Sequence, residues 1–392
     1  MENASKRNLK ILVVGHHFVV KDYQKLWEEC NKIDSNISYE LIMPKCSLQN
    51  GNLVHVHEDL NSPLKIHTVE APFAKQGRQH LLFFKDIEEK IRKINPDFIY
   101  CAEEANSIIT MQIGRICKKI GIDYSFWSSL NFNRDYWSMY SYFNIRKYLF
   151  TLCNRYNFKH SSFANVTSTA AYDTKVAQGY TKPMIVAQTH AVSQEFFDVG
   201  NKRIDKNTDT SVKKTIGFVG RLLDWKGIDI LIEALASMDS GTYDLVIYGD
   251  GEEKENIRNL SKKLNVKIIF KEFVCYEEMP NVFSNIDILV LPSLTRNGIN
   301  EKFGRVLIEG MAAGCVAVGS ADGGIPKVLS SAGVLFKPGD SKNLTQVLES
   351  LLFDNSYFRL MQENCYNDTL EKHAYSSIAS NLHSEIKELL CW

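Results

Sequence analysis

Thr215-Ile216-Gly217-Phe218-Val219-Gly220-Arg221-Leu222-Leu223-Asp224-Trp225-Lys226-Gly227 reads as a short apolar strand, a glycine at its exit, and a turn carrying Arg and Lys five residues apart. Such a strand, apolar on both faces, belongs to a parallel sheet covered on both sides. In open sheets of this kind ligands bind in the crevice outside the carboxyl ends of the strands. That is where the turn places Arg221 and Lys226. Downstream, apolar strands recur at 243–249, 266–270, 286–291 and 315–319, with helical patterns between them. Upstream, Lys10-Ile11-Leu12-Val13-Val14-Gly15 opens an equivalent series, with helices expected at 22–33, 80–94 and 106–120 and strands at 37–42, 97–101, 123–127, 163–167 and 184–187. Strand alternating with helix twice over predicts two doubly wound α/β domains in tandem.

The polar stretch 198–214, rich in Lys, Asp, Asn and Thr, predicts an interdomain linker. The expected organisation is therefore a first domain over 1–197, the linker, a second domain over 215–372 and a terminal segment over 373–392.

A second stretch supplies the chemistry. Asn300-Glu301-Lys302-Phe303-Gly304-Arg305-Val306-Leu307-Ile308-Glu309-Gly310-Met311 holds two glutamates, the first before a glycine and the second inside an apolar-periodic run. A helix starting near Gly304 presents unpaired N–H groups and a positive dipole end to an anion. Glu301 and Glu309 then lie where neighbouring hydroxyls would. Anion donors beside hydroxyl acceptors describe a sugar nucleotide.

Composition narrows the classes. With 392 residues, 44% of them hydrophobic, the chain can bury a large core and is long for one domain. Lys plus Arg equals Asp plus Glu at 46 each, which argues against a general nucleic-acid binder. Residues 1–200 carry 24 basic and 20 acidic side chains, and the excess of four falls within 132–160. That segment interleaves Phe132, Tyr136, Trp137, Tyr140, Tyr142, Phe143, Tyr148, Phe150, Tyr156 and Phe158 with Arg134, Arg146, Lys147, Arg155 and Lys159. Two readings stand for it, a peripheral contact with anionic lipid and a core helix with solvated cations. Nine scattered cysteines, without C-x-x-C or zinc spacing to histidine, read as thiols in a reducing cytosol. The polar start and the lack of a long apolar run predict a cytoplasmic protein, and the lipid reading of 132–160 would place it peripherally on the inner face of the membrane.

Taken together, Gly220-Arg221 with Lys226-Gly227, Tyr248-Gly249-Asp250-Gly251, Leu291-Pro292-Ser293, Glu301-x7-Glu309 and Gly323-Gly324-Ile325-Pro326 resemble retaining glycosyltransferases of the GT-B fold, family-four type, in order and in spacing. The resemblance implies two Rossmann-like domains facing across a cleft, with the terminal segment packing toward the first. It implies that Arg221 and Lys226 hold the donor diphosphate and that Glu301 meets hydroxyls of the donor sugar. Glu309 would bind the ribose, and Gly220, Phe303 and the amides of Gly304, Arg305 and Val306 would complete the donor site. A departing diphosphate gains charge in the transition state, which preorganised cations and N–H groups stabilise. No metal and no other cofactor is expected, and the chain has no D-x-D pair. The partners implied are a nucleotide sugar and a glycan or lipid-linked acceptor.

The first half resembles the family in layout more than in residues. Gly15-His16-His17-Phe18 stands where many members have Gly-Gly, so the histidines either touch phosphate or acceptor, or pack. Trp127-Ser128-Ser129 stands where many have a histidine. Glu104-Ala105-Asn106-Ser107 resembles a Glu-Pro-x-Ser turn that lines the acceptor cleft, although helix capping explains it as well. His190-Ala191-Val192-Ser193 replaces Asn-Gly-Val-Asp, and Lys327 replaces a glutamate. A nucleotide-sugar epimerase and a non-catalytic nucleotide-sugar-binding protein share the layout. A dinucleotide-dependent dehydrogenase would need G-x-G-x-x-G after the first strand, which is missing here.

Overall fold

The computed structural model describes residues 8–49, 52–56, 64–76, 81–130, 145–187, 189–205, 213–272 and 274–391. Residues 132–144 of the aromatic and basic segment thus lie outside the described residues, as do 206–212 of the expected linker. The chain divides into two units, Met1–Ala191 with Tyr375–Trp392, and Val192–Ala374.

In the first unit β1 (Leu9–Val14), β2 (Ile37–Pro44), β5 (Lys65–Val69), β6 (Phe98–Cys101), β7 (Asp123–Ser128), β8 (Phe163–Val166) and β9 (Met184–Val186) form a parallel sheet in the order β5-β2-β1-β6-β7-β8-β9. The strands β3 (Cys46–Gln49) and β4 (Asn52–His55) make a separate antiparallel pair. Side chains alternate across the pleat. Leu9, Ile11 and Val13 enter one apolar cluster with Trp27 and Tyr39, while Leu12 and Val14 enter another with Ile87, Ile91 and Ile113. Two-sided burial explains why β1 reads as an unbroken apolar run. The helix expected at 106–120 spans Ile108–Ile120, capped by Ser107 Oγ accepting from the Ile109 amide and closed by Gly121 in the left-handed region. The cap is therefore Ser107, which frees Glu104 for another role.

In the second unit β10 (Lys214–Val219), β11 (Tyr243–Tyr248), β12 (Ile268–Lys271), β13 (Ile288–Leu291), β14 (Val316–Ser320) and β15 (Val334–Phe336) pair in parallel, in the order β12-β11-β10-β13-β14-β15. Its apolar cluster runs from Val192 to Ala374.

The division differs from the expected one. Where a linker was expected from 198, the helix Gln194–Asp205 belongs to the second unit. Phe196 and Phe197 are each 1% exposed within its core, and the Arg203 guanidinium donates to the Phe283 and Ala313 carbonyls and pairs with Asp287 at 3.0 Å. The polar run marks the outer side of a packed helix, and the unit begins at Val192 rather than after 214. The terminal segment expected from 373 is the helix Tyr375–Leu389, whose Ile378, Ala379, Leu382 and Ile386 complete the core of the first unit. Among the described residues no helix is long and apolar enough to cross a membrane.

Candidate functional site

In the second sheet, β11 lies on one side of β10 and β13 on the other, so the topological switch point falls between β10 and β13. Four loops meet at the carboxyl ends there, joined mainly through backbone. The Gly220 amide donates to the Tyr248 carbonyl at 3.0 Å and the Leu222 amide to Asp250 at 2.9 Å. The Leu294 amide donates to Trp225 at 2.8 Å, and the Gly324 amide to Glu301 at 2.7 Å. Two glycines make these approaches possible. A Cβ on Gly249 would lie 1.9 Å from the Gly220 carbonyl oxygen. Gly323 has φ +56°, and a Cβ there would lie 2.3 Å from the Glu301 oxygen. Any larger residue at either place would push two loops apart.

This network sets the side chains. Lys226 Nζ donates to Glu301 Oε2 at 2.6 Å, with the two side chains 14% and 15% exposed. The ammonium also lies 4.4 Å from the centre of the Trp225 ring. Gly304, at φ +81°, opens the helix Arg305–Ala312, and no side chain caps its first amides. Glu309 is buried one turn inside and pairs with Arg305 Nε at 2.8 Å, while Arg305 also donates to the Tyr276 hydroxyl at 2.7 Å. Phe303 packs edge-on against His373, and Val306 lies against the core. Arg221 is exposed, and among the described residues its side chain makes no hydrogen bond or ion pair. Of the expected donor residues, then, Lys226 and Glu301 touch, Glu309 is held by Arg305, and Arg221 pairs with none of the described residues.

Arg296 was not anticipated. It donates to the Asp224 carbonyl, pairs with the Asp224 carboxylate and reaches Asp229 at 2.9 Å, so it braces the turn that carries Lys226.

The first sheet has its own switch point between β1 and β6. His16 follows β1, and Glu103 follows β6. One oxygen, Glu103 Oε1, accepts from the His16 amide at 2.7 Å and meets His16 Nδ1 at 2.5 Å. Burial opposes charge on both groups, but their attraction and hydrogen bond outweigh it, holding His16 above the ordinary imidazole range and Glu103 below the ordinary carboxyl range. Burial pushes His17 down to about 4 against the pull of Glu103, leaving it neutral at pH 7. The donor atoms of His16, His17 and Glu103 lie within 4.8 Å of one another, a set of types that suits a divalent cation. As built, Glu103 is committed to His16.

Gly15 sits against the Phe18 ring. Glu104, the carboxylate expected in this region, turns elsewhere. It accepts from Ser128 Oγ at 2.7 Å and the Ser129 amide at 2.9 Å, and faces the buried Lys175 at 3.8 Å. Sequence reasoning named the second of two adjacent glutamates, but the first meets the histidines. Neither Glu103 nor Lys175 carries a local signal, because each partner lies on another strand or helix.

Comparison with known proteins follows the same division. The model of the family described as Glycosyl transferases group 1 matches residues 201–368. An uncharacterized glycosyltransferase of Methanocaldococcus jannaschii is 30% identical over 172 residues, covering 43% of this chain and 43% of that one. A lipopolysaccharide core biosynthesis glycosyltransferase of Rhizobium meliloti is 24% identical over 208 residues, covering 47% of this chain and 58% of that one. The chain thus matches about half the length of these curated relatives. In structure the likeness is wider. The Anabaena protein HepE, solved in complex with UDP, superposes with a TM-score of 0.63 at 14% identity, covering 97% of this chain and all of the other. That identity speaks for the fold alone, which is of GT-B type, with two parallel α/β sheets. Over residues 201–368, then, the chain is similar to the glycosyl transferases group 1 family.

Proposed function

We propose that the protein is a retaining glycosyltransferase that moves a sugar from a nucleotide diphosphate donor to a glycan or lipid-linked saccharide, in the assembly of a surface polysaccharide, lipopolysaccharide or glycolipid. One observation carries the reading. Lys226, Glu301 and the uncapped first turn after Gly304 belong to one loop network at the switch point of the second sheet.

In this reading the ligand-free pair is self-neutralised. The donor diphosphate takes the ammonium of Lys226, joined by Arg221 and by the amides of Gly304, Arg305 and Val306, and the donor sugar hydroxyls take Glu301. Glu309 receives the ribose as Arg305 yields part of its hold, while Gly220 and Phe303 line the approach. Cations and N–H groups already in place cost no reorganisation as charge builds on the leaving phosphate. The acceptor hydroxyl attacks from the face the phosphate leaves, and a phosphate oxygen takes its proton, so the anomeric configuration is kept. No metal ion takes part in this scheme. The relative in Rhizobium meliloti, named for lipopolysaccharide core biosynthesis, and the UDP complex of HepE support the choice of donor and pathway class. The acceptor belongs to the first unit, near Gly15, His16 and His17.

The reaction takes place in the cytoplasm, with a peripheral membrane contact through the helix Ile145–His160. Ile145, Tyr148 and Leu152 are exposed along one face of it, with Arg155 and Lys159 continuing the line. Incubation with nucleotide sugars, with and without saccharide acceptors, tests the reading. Transfer that needs an acceptor is expected, and Glu301→Ala should remove it with the fold retained. Conversion of the donor alone would instead indicate an epimerase, and an unchanged cellular phenotype for Glu301→Ala a binding protein.

A further inference from the structure

A cavity of about 200 Å³ lies wholly within the first unit, where His17 follows β1, Ala102 follows β6 and Trp127 stands near the end of β7. Its walls are aromatic. Tyr23, Trp27, Tyr100, Trp127 and Tyr375 surround it, and no Asp, Glu, Lys or Arg lines it. Thr189 and His190 also line it, and two further polar groups stand out by having no hydrogen-bond partner among the described residues. His17, neutral at pH 7, contacts the rings of His16, Phe18 and Tyr23, and its nitrogens make no hydrogen bond among the described residues. Trp127 lines the cavity with its ring, and its Nε1 is buried with no acceptor. A buried N–H without a partner is unusual and asks for one.

Three classes of occupant can be compared. A phosphate or carboxylate would lose its water among these rings with no cation to replace it. A hydrocarbon chain would satisfy the rings and leave His17 and Trp127 unpaired. A pyranose offers apolar C–H faces to the aromatic walls, a hydroxyl oxygen to accept from Trp127 Nε1, and a hydroxyl hydrogen to donate to His17. The volume falls below the roughly 300–1,000 Å³ of pockets for drug-sized ligands, which suits a single ring.

We propose that this cavity seats an uncharged sugar ring and, resting on the transferase reading above, that the ring is the acceptor's. The acceptor is then a neutral saccharide at the position recognised, with Trp127 and His17 setting its orientation.

Saturation-transfer NMR on the full chain tests this, using methyl α-glucoside, α-galactoside and α-mannoside, with glucose 6-phosphate as the charged comparison and UDP titrated in parallel. At least one methyl hexoside should bind. Trp127→Phe, which keeps a ring and removes the N–H, should raise its Kd about tenfold, and Trp127→Ala should abolish binding with the circular dichroism unchanged. Binding unaffected by Trp127→Phe, or tighter binding of glucose 6-phosphate at this site, overturns the proposal. If UDP binds and no hexoside does, the cavity proposal falls and the transferase reading stands. If a hexoside binds through Trp127 and UDP does not, the sugar site stands and its assignment to an acceptor falls.

Discussion

Two loop clusters sit at the switch points of two parallel sheets, and they are held together by different means. In the second unit main chain meets main chain, as where Gly324 donates to the Glu301 carbonyl and a Cβ on Gly249 would collide with Gly220. In the first unit side chains carry the contacts, with Glu103 holding His16 and Glu104 holding Ser128, Ser129 and Lys175. Backbone contact at such range admits glycine alone, so it leaves a spaced glycine signature in the sequence. A carboxylate reaching across from a neighbouring strand leaves none, because many residue pairs can do the same.

The largest effect expected falls on chemistry in the second unit. Lys226→Ala should lower kcat/KM for the nucleotide sugar by about 10²–10³, while denaturant unfolding shifts by about 1–3 kcal/mol, because Glu301 loses the partner of a largely buried pair. A loss of activity that tracks a loss of stability would mean that the pair with Glu301 is structural. In the first unit the balance should reverse. Glu104→Ala strands the ammonium of Lys175, which is 1% exposed, and should cost about 3 kcal/mol in urea unfolding. Glu104→Gln keeps an acceptor for Ser128 and Ser129 and should cost less.

A glycine pair sharpens the comparison further. Gly323 and Gly339 both have positive φ, at +56° and +74°, but a Cβ on Gly339 meets nothing within 4 Å. Gly339→Ala should cost about 1 kcal/mol from conformation alone. Gly323→Ala should cost about 2–3 kcal/mol and weaken UDP binding measured by calorimetry. Equal costs would show that the loop contact to Glu301 has no energetic weight.

The smallest effect depends on pH. His17 is held at about 4, below the ordinary 6.5, so between these values the unfolded chain binds a proton that the native one refuses. Stability contributed by the neutral form is complete above pH 6.5 and declines toward pH 4. The loss should reach at most about 2 kcal/mol at pH 5. The His16–Glu103 pair keeps its contribution through this window, because His16 is shifted upward and Glu103 downward. His17→Gln should therefore flatten the decline between pH 6.5 and 5 in denaturant titrations, and an unchanged slope would place its source elsewhere.

Legibility followed the same line. The strands and helices flanking Gly220, Gly249 and Gly323 were readable because a two-sided parallel sheet demands apolar runs and its tight loops demand glycine. The short edge strands Lys65–Val69 and Val334–Phe336 were missed, since few residues carry their pattern. The polar run after 198 suggested a linker because composition registers the solvated side of the helix Gln194–Asp205 more strongly than Phe196 and Phe197, which anchor it.

By itself the sequence determined the α/β class, the tandem of two sheets and the glycine-marked loops at the carboxyl ends of the second, all of which rest on local periodicity and local backbone geometry. Only the tertiary structure decided that Lys226 meets Glu301, that His16 takes Glu103 rather than Glu104, and that Trp27, Tyr100, Trp127 and Tyr375, distant in sequence, line one cavity. Those pairings depend on which strands lie side by side, a choice made by the packing of the whole sheet.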